Sequence, residues 1–207
     1  MVIGVTGGVG SGKSTILEYL EECYGARLIL ADDVARELQE PGRECYGLIV
    51  KEFGEGILKK GSAGIFAGNP ALRPIDRAAL AEIVFNDPEK LKLLNSMTHP
   101  QVRQEIEQRI ATFYMMDNNA LIVIEAALLI EAGYLEILDE MWAVTARKEI
   151  RIERLMASRG YSQEKCEDIM ASQKTDEEYR RAVDFVIDNS GSTLETHAQI
   201  DERLSRI

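Results

Sequence analysis

The sequence predicts an α/β fold, with a parallel five-stranded sheet between two layers of helices. Two observations carry that expectation. Five short apolar runs, Val2–Thr6, Arg27–Leu30, 121–124, 141–145 and 184–188, alternate with segments of helical periodicity, the pattern of a parallel sheet whose crossovers cover both faces. The first run also passes directly into a glycine-rich turn and a helix, and sheets of this kind bind ligands at the carboxyl ends of their strands.

Val2-Ile3-Gly4-Val5 reads as a buried strand. The turn after it, Gly7-Gly8-Val9-Gly10-Ser11-Gly12-Lys13-Ser14-Thr15, has the G-x-x-x-x-G-K-S spacing of a phosphate-binding P-loop. Glycines at 7, 8, 10 and 12 permit positive φ and close approach, so that successive N–H groups converge on one anion. Lys13 supplies a mobile positive charge for the β- and γ-phosphates, and the Ser14 hydroxyl a ligand for Mg²⁺. Ile16, Leu17 and Leu20 form the apolar stripe of a helix beginning near Lys13, whose positive dipole end points at the same phosphates. Chance alone would supply the four fixed positions in roughly one chain of this length in a hundred, so the flanking strand and helix carry weight. A dinucleotide site would need G-x-G-x-x-G spacing and has no use for a Lys-Ser pair.

Composition narrows the partners. At 207 residues, with 45% hydrophobic and 29% charged side chains, the chain suits one globular domain with an insertion. A formal net charge of −11 argues against nucleic acid as a partner. The first strand begins at once, without a signal segment, and no apolar run approaches a membrane span. A cytoplasmic protein with no membrane partner is therefore expected. Cys23, Cys45 and Cys166 are odd in number and widely spaced, which suggests neither disulfides nor a zinc site.

About ninety residues separate the second and third runs, far more than a crossover needs. Pro41-Gly42, Gly54-Glu55-Gly56, Gly61-Ser62-Ala63-Gly64 and Gly68-Asn69-Pro70 punctuate this stretch, and 76–85, 88–97 and 100–115 read as helices. It is expected to be an inserted helical subdomain. A second charged, helical insertion, 147–182, follows the fourth run.

Several side chains are candidates for chemistry. Asp32 and Asp33 follow the second strand, where a carboxylate could take the proton of an attacking hydroxyl. Either could equally cap the next helix. Arg147, Arg151 and Arg154 are spaced to share one helical face, as a lid that neutralises a moving phosphoryl group or as a solvated face paired with Glu149 and Glu153. His99, before Pro100 at an expected helix start, is at most a substrate contact. His197 is expected at the surface of the last helix, Asp176-Glu177-Glu178 at a helix N-terminus, and Trp142 in the core.

Taken in order, these residues resemble the dephospho-CoA kinase family over nearly the whole chain. The resemblance runs from Thr6 to Thr15, through Ala31-Asp32 with Ala35-Arg36-Glu37, Pro41-Gly42, Ile75-Asp76-Arg77, Val84-Phe85, Leu94-Asn95 and His99-Pro100. It continues through Leu128-Leu129-Ile130-Glu131, Arg154-Leu155-Met156, Ser162, Gln173 and Val186-Ile187-Asp188-Asn189. It implies a P-loop NTPase fold of three αβα layers, with a core of 1–40, 117–146 and 183–207, a helical CoA-binding insertion at 41–116 and lid helices at 147–182. It also implies ATP-dependent phosphorylation of the ribose 3′-hydroxyl of dephospho-CoA. A monomer or weak homo-oligomer is expected.

By the same resemblance the catalytic residues are Asp32, Lys13 and Arg154. ATP falls to Gly8, Val9, Gly10, Ser11, Gly12, Lys13, Ser14, Thr15 and Asn189. Dephospho-CoA falls to Asp32, Arg36, Asp76, Arg77 and His99, and Mg²⁺ to Ser14. The sequence departs from the family pattern at Leu30, Glu125, Ala127 and Ser158, with Arg159 one position beyond the expected second lid arginine. Two rival activities share these motifs. Another small-metabolite or nucleoside kinase would differ only in the segment between Pro41 and Met116. A regulatory ATPase would hydrolyse without an acceptor, and the absence of Asp from Leu121-Ile122-Val123-Ile124-Glu125 counts against it.

Overall fold

The computed structural model describes residues 1–60, 73–126, 129 and 134–207. Five strands, β1 (Val2–Thr6), β2 (Arg27–Leu30), β3 (Ile122–Glu125), β4 (Glu140–Thr145) and β5 (Phe185–Asp188), form one sheet in the order β2-β3-β1-β4-β5. Every pairing is parallel. The chain leaves β1 toward the β2 edge and leaves its neighbour β4 toward the β5 edge. The end of β1 therefore lies at a switch point, where open α/β sheets bind ligands.

The chain forms two compact units, Met1–Leu30 with Ile110–Ile207, and Ala31–Arg109. The first holds the sheet with α1 (Lys13–Tyr24), α6 (Lys148–Arg159), α7 (Gln163–Ala171), α8 (Asp176–Ala182) and α9 (Thr193–Leu204). Alternation along parallel strands sends Ile3, Val5, Val123, Trp142, Val144 and Ile187 to one face, where they pack with Ile16, Leu17 and Leu20 of α1 and Ile200 of α9. Ile122, Ile124, Met141 and Ala143, of the other parity, are buried as well. Trp142 is wholly buried and its indole N–H reaches Glu140, as core placement of tryptophan requires.

Local chemistry sets the ends of these helices. Gly25 and Gly160 close α1 and α6 in the left-handed conformation. Thr175 with Glu178, and Ser192 with Glu195, form capping boxes at the starts of α8 and α9. Asp176-Glu177-Glu178 is thus a helix N-terminus, as expected.

The second unit holds α2 (Ala31–Leu38), α3 (Glu44–Phe53), α4 (Arg77–Phe85) and most of α5 (Pro88–Met116) around a small core of Tyr46, Ile49, Ile57, Leu58, Ile75, Leu80 and Val84. It begins at Ala31 and ends at Arg109, where the sequence suggested an insertion of 41–116. Helix α3 was not anticipated, although Tyr46, Ile49, Val50 and Phe53 have helical spacing; the glycines at 47 and 54 obscure it.

Residues 88–97 and 100–115 are not two helices but one. Pro100 lies inside α5, where it removes one backbone hydrogen bond. Burial of Thr98, Val102 and Ile106 on either side holds the helix through the proline, and Thr98 turns its hydroxyl onto the Leu94 carbonyl at 3.0 Å. His99 is consequently in mid-helix, exposed, and not at a helix start. The glycine clusters at 61–64 and 68–70, and Ala127, Leu128, Ile130 and Glu131 of the family motif, lie outside the described residues.

Candidate active site

The turn after β1 is built by glycine at contacts no side chain could share. Gly7, Gly10 and Gly12 have φ of 146°, 75° and 90°. A Cβ on Gly7 would fall 2.3 Å from the Val144 carbonyl oxygen of β4. Of the two uses read for these glycines, positive φ and close approach, Gly8 has only the second, because a Cβ there would stand 2.3 Å from an Arg151 guanidinium nitrogen. From Gly12 the chain enters α1, and the first N–H groups of a helix have no intrahelical partner, so the turn ends in a cluster of donors suited to an anion.

Lys13 folds back over the turn. Its ammonium donates to the Gly7 carbonyl at 2.9 Å and stands 3.7 Å from the Glu125 carboxylate at the end of β3. The Val5–Glu125 register puts that carboxylate beside the strand that launches the P-loop. An acidic group therefore occupies the strand end where the sequence showed no Asp. Ser14 and Thr15 are exposed in the first turn of α1.

Two of the three arginines of α6 reach the P-loop backbone. Arg154 donates to the Ser11 carbonyl at 3.2 Å and to the Asn189 carbonyl at 3.0 Å. Arg151, only 6% exposed, donates through Nε to the Val9 carbonyl at 2.9 Å and lies 3.6 Å from Asp176. Burial lowers its pKa despite that carboxylate, yet an arginine keeps its charge. Gln173 accepts from the Val9 N–H at 2.8 Å. The pairing of this face with Glu149 and Glu153 does not occur among the described residues, and Arg147 sits outside the helix at its N-cap. Arg159, at the other end of α6, lies 6.0 Å from the centre of the Tyr161 ring.

Asn189, after β5, is buried, and its side chain is committed inward. Its amide donates to the Ser11 carbonyl at 2.8 Å and accepts from the Thr196 hydroxyl at 3.0 Å. It acts as a strut beneath the P-loop. Among the described residues, no group of three or more His, Cys, Asp or Glu side chains could hold a metal by itself.

The remaining candidates belong to the second unit. Neither aspartate after β2 caps a helix from outside, because α2 starts at Ala31 and includes both in its first turn, where their charge suits the dipole. Asp33 is paired with Arg36. Asp32 is exposed and has no hydrogen bond or ion pair among the described residues. Asp76 is the N-cap of α4, accepting from Ala78 and Ala79, while Arg77 opens that helix on its surface. Arg109 pairs with both Glu37 and Glu105, which ties α2 to α5.

Comparison with known proteins decides the family. The family model for dephospho-CoA kinase matches residues 1–195. The chain belongs to the dephospho-CoA kinase family. Relatives named dephospho-CoA kinase include one from Geobacter sulfurreducens, 40% identical over 97% of this chain and 95% of its own length. Another, from Carboxydothermus hydrogenoformans, is 39% identical over 96% of this chain and 90% of its own. Among solved structures, dephospho-CoA kinase from Campylobacter jejuni superposes with a TM-score of 0.68 at 27% identity, covering 99% of this chain and 96% of that one. The P-loop kinase fold read from the turn after β1 is thus the fold of the family. Arg151, Gln173 and Glu125 were not assigned to the site from sequence. The four- and three-residue spacing of the arginines pointed toward the first, but only the packing of α6 distinguishes Arg151 from Arg147.

Proposed function

We propose that this kinase transfers the γ-phosphoryl group of ATP to the ribose 3′-hydroxyl of dephospho-CoA, giving coenzyme A and ADP. The observation that carries the reading is a P-loop whose Lys13, Glu125 and α6 arginines gather at the switch point of the sheet, in a chain whose family model spans residues 1–195. The P-loop from Gly8 to Thr15 and the dipole of α1 take the phosphates, and Lys13 exchanges the Gly7 carbonyl for a phosphate oxygen. Asp32 is the group that orients the acceptor hydroxyl and takes its proton, for it is exposed while Asp33 is occupied by Arg36. Arg154, already at the P-loop, neutralises charge as the phosphoryl group moves.

The oxygen donors that Mg²⁺ favours are present in the Ser14 hydroxyl and the Glu125 carboxylate, and these would hold the ion. Bound there, it neutralises phosphate charge. In the same reading 41–116 receives dephospho-CoA, through Arg36, Arg77 and His99 among others, and 147–182 forms the lid. Asp76 contributes by capping α4 under Arg77. The protein then works in the cytoplasm as a monomer or weak homo-oligomer, without nucleic acid; among the described residues no helix is long and apolar enough to cross a membrane.

A coupled assay of ADP release tests the assignment. Release is expected to be slow with ATP alone and to rise when dephospho-CoA is added. Stimulation by a nucleoside instead would assign another acceptor, and steady release without any acceptor would mark a regulatory ATPase.

A further inference from the structure

The peptide at the tip of the P-loop is gripped from both sides by side chains more than 140 residues away in sequence. The Val9 carbonyl accepts from Arg151 Nε at 2.9 Å, and the Val9 N–H donates to Gln173 Oε1 at 2.8 Å. Arg151 Nη2 also reaches Gln173 Oε1, at 3.4 Å, so the two side chains form a closed ring with the Val9 backbone. Gly8 leaves just enough room for the guanidinium, and Gly10 packs on Leu155 and on the Arg151 backbone. A buried arginine is costly unless its donors are used, and here they are spent on a carbonyl, an amide oxygen and a carboxylate.

We propose that Arg151 and Gln173 are positioning residues for ATP, acting through Val9 to hold the P-loop in its phosphate-binding form before the nucleotide arrives. The proposal rests on the assignment of this loop to the ATP phosphates. A glycine-rich turn would otherwise lose backbone freedom on binding, and a loop already fixed loses less. The clasp also divides the segment proposed as the lid. Arg151 and Arg154 anchor α6, and Gln173 anchors the chain after α7. Any closing movement then falls to the stretch between Gly160 and Ser172.

The test is ATP affinity measured by titration calorimetry on the full chain, with no acceptor, so that it stands whichever acceptor proves correct. Arg151→Met and Gln173→Leu are each expected to weaken ATP binding about tenfold, the scale of a hydrogen bond to a charged or buried group. The double variant should lose less than the product of the two, because both act on one peptide. Arg151→Lys, which keeps the positive charge on a single donor group, should recover part of the affinity. The exposed Arg206→Met serves as the unchanged control. In steady state the KM for ATP should rise while the KM for dephospho-CoA stays within about twofold. A lowered melting temperature with wild-type ATP affinity would make the clasp merely structural and overturn the proposal. Should Arg151→Met fail to fold, Gln173→Leu and Arg151→Lys decide the matter by the same readings.

Discussion

The backbone of the P-loop and the first turn of α2 both follow a strand of the same sheet, yet they are held in opposite ways. Residues 9 to 11 are bonded by Arg151, Arg154, Gln173 and Asn189, all distant in sequence and all buried or half-buried. In α2, among the described residues, Asp33 meets only Arg36, one turn away and exposed to water, and Asp32 meets no partner. The loop proposed to grip the phosphates is therefore held by tertiary packing. The first turn of α2 leaves the Asp32 carboxylate, proposed as the base, exposed to solvent. A binding loop gains from being fixed in advance, whereas a proton acceptor needs an unoccupied lone pair.

Substitutions on the two sides should separate these roles. The largest effect is expected at Asp32→Asn, with turnover lower by about two to four orders of magnitude and ATP affinity almost unchanged. Normal turnover in that variant would remove Asp32 from the chemistry. Next comes Asn189→Ala, which deletes two buried hydrogen bonds and should cost about 1–3 kcal/mol of stability. For a chain of this size that is a fall in melting temperature of roughly 2–4 °C per kcal/mol, accompanied by weaker ATP binding. An Asn189→Ala protein with unchanged melting and ATP affinity would dissolve the distinction drawn here.

Asp33→Asn should do much less. It breaks an exposed pair one helical turn apart, worth at most about 1 kcal/mol, and is expected to change turnover by less than about threefold. A large loss of turnover there would transfer the base role from Asp32 to Asp33. The smallest effect concerns acid. Hydrogen bonds from Thr175 and Ser192 hold the carboxylates of Glu178 and Glu195 below their ordinary pKa of 4.5. A depressed folded pKa contributes stability above 4.5, which is lost as pH falls through the lowered values. Titration below pH 4.5 should therefore loosen α8 and α9 slightly, and Glu178→Gln with Glu195→Gln should flatten that part of the profile.

Much of the fold was legible because its signals are local. The strand runs coincide with the observed strands to within a residue, since buried parallel strands are continuous apolar runs. The P-loop declared itself by spacing. Helix α3 and the unbroken α5 were not read correctly, because Gly47 and Pro100 are local breakers that burial of neighbouring side chains overrides. Asp76 was legible as part of a motif, but its use as a helix cap appears only from the start of α4.

By itself, then, the sequence determined a parallel α/β sheet, a phosphate-binding turn after its first strand and a resemblance that named the acceptor. These follow from periodicities and spacings within a few residues. Tertiary structure alone decided that Arg151 and Arg154, and not Arg147, lie against the P-loop, that Asn189 supports the loop from beneath, and that Glu125 stands beside Lys13. Each of those depends on which strand neighbours β1 and how α6 is turned against it, and contacts between residues more than a hundred positions apart leave no periodic trace in the chain.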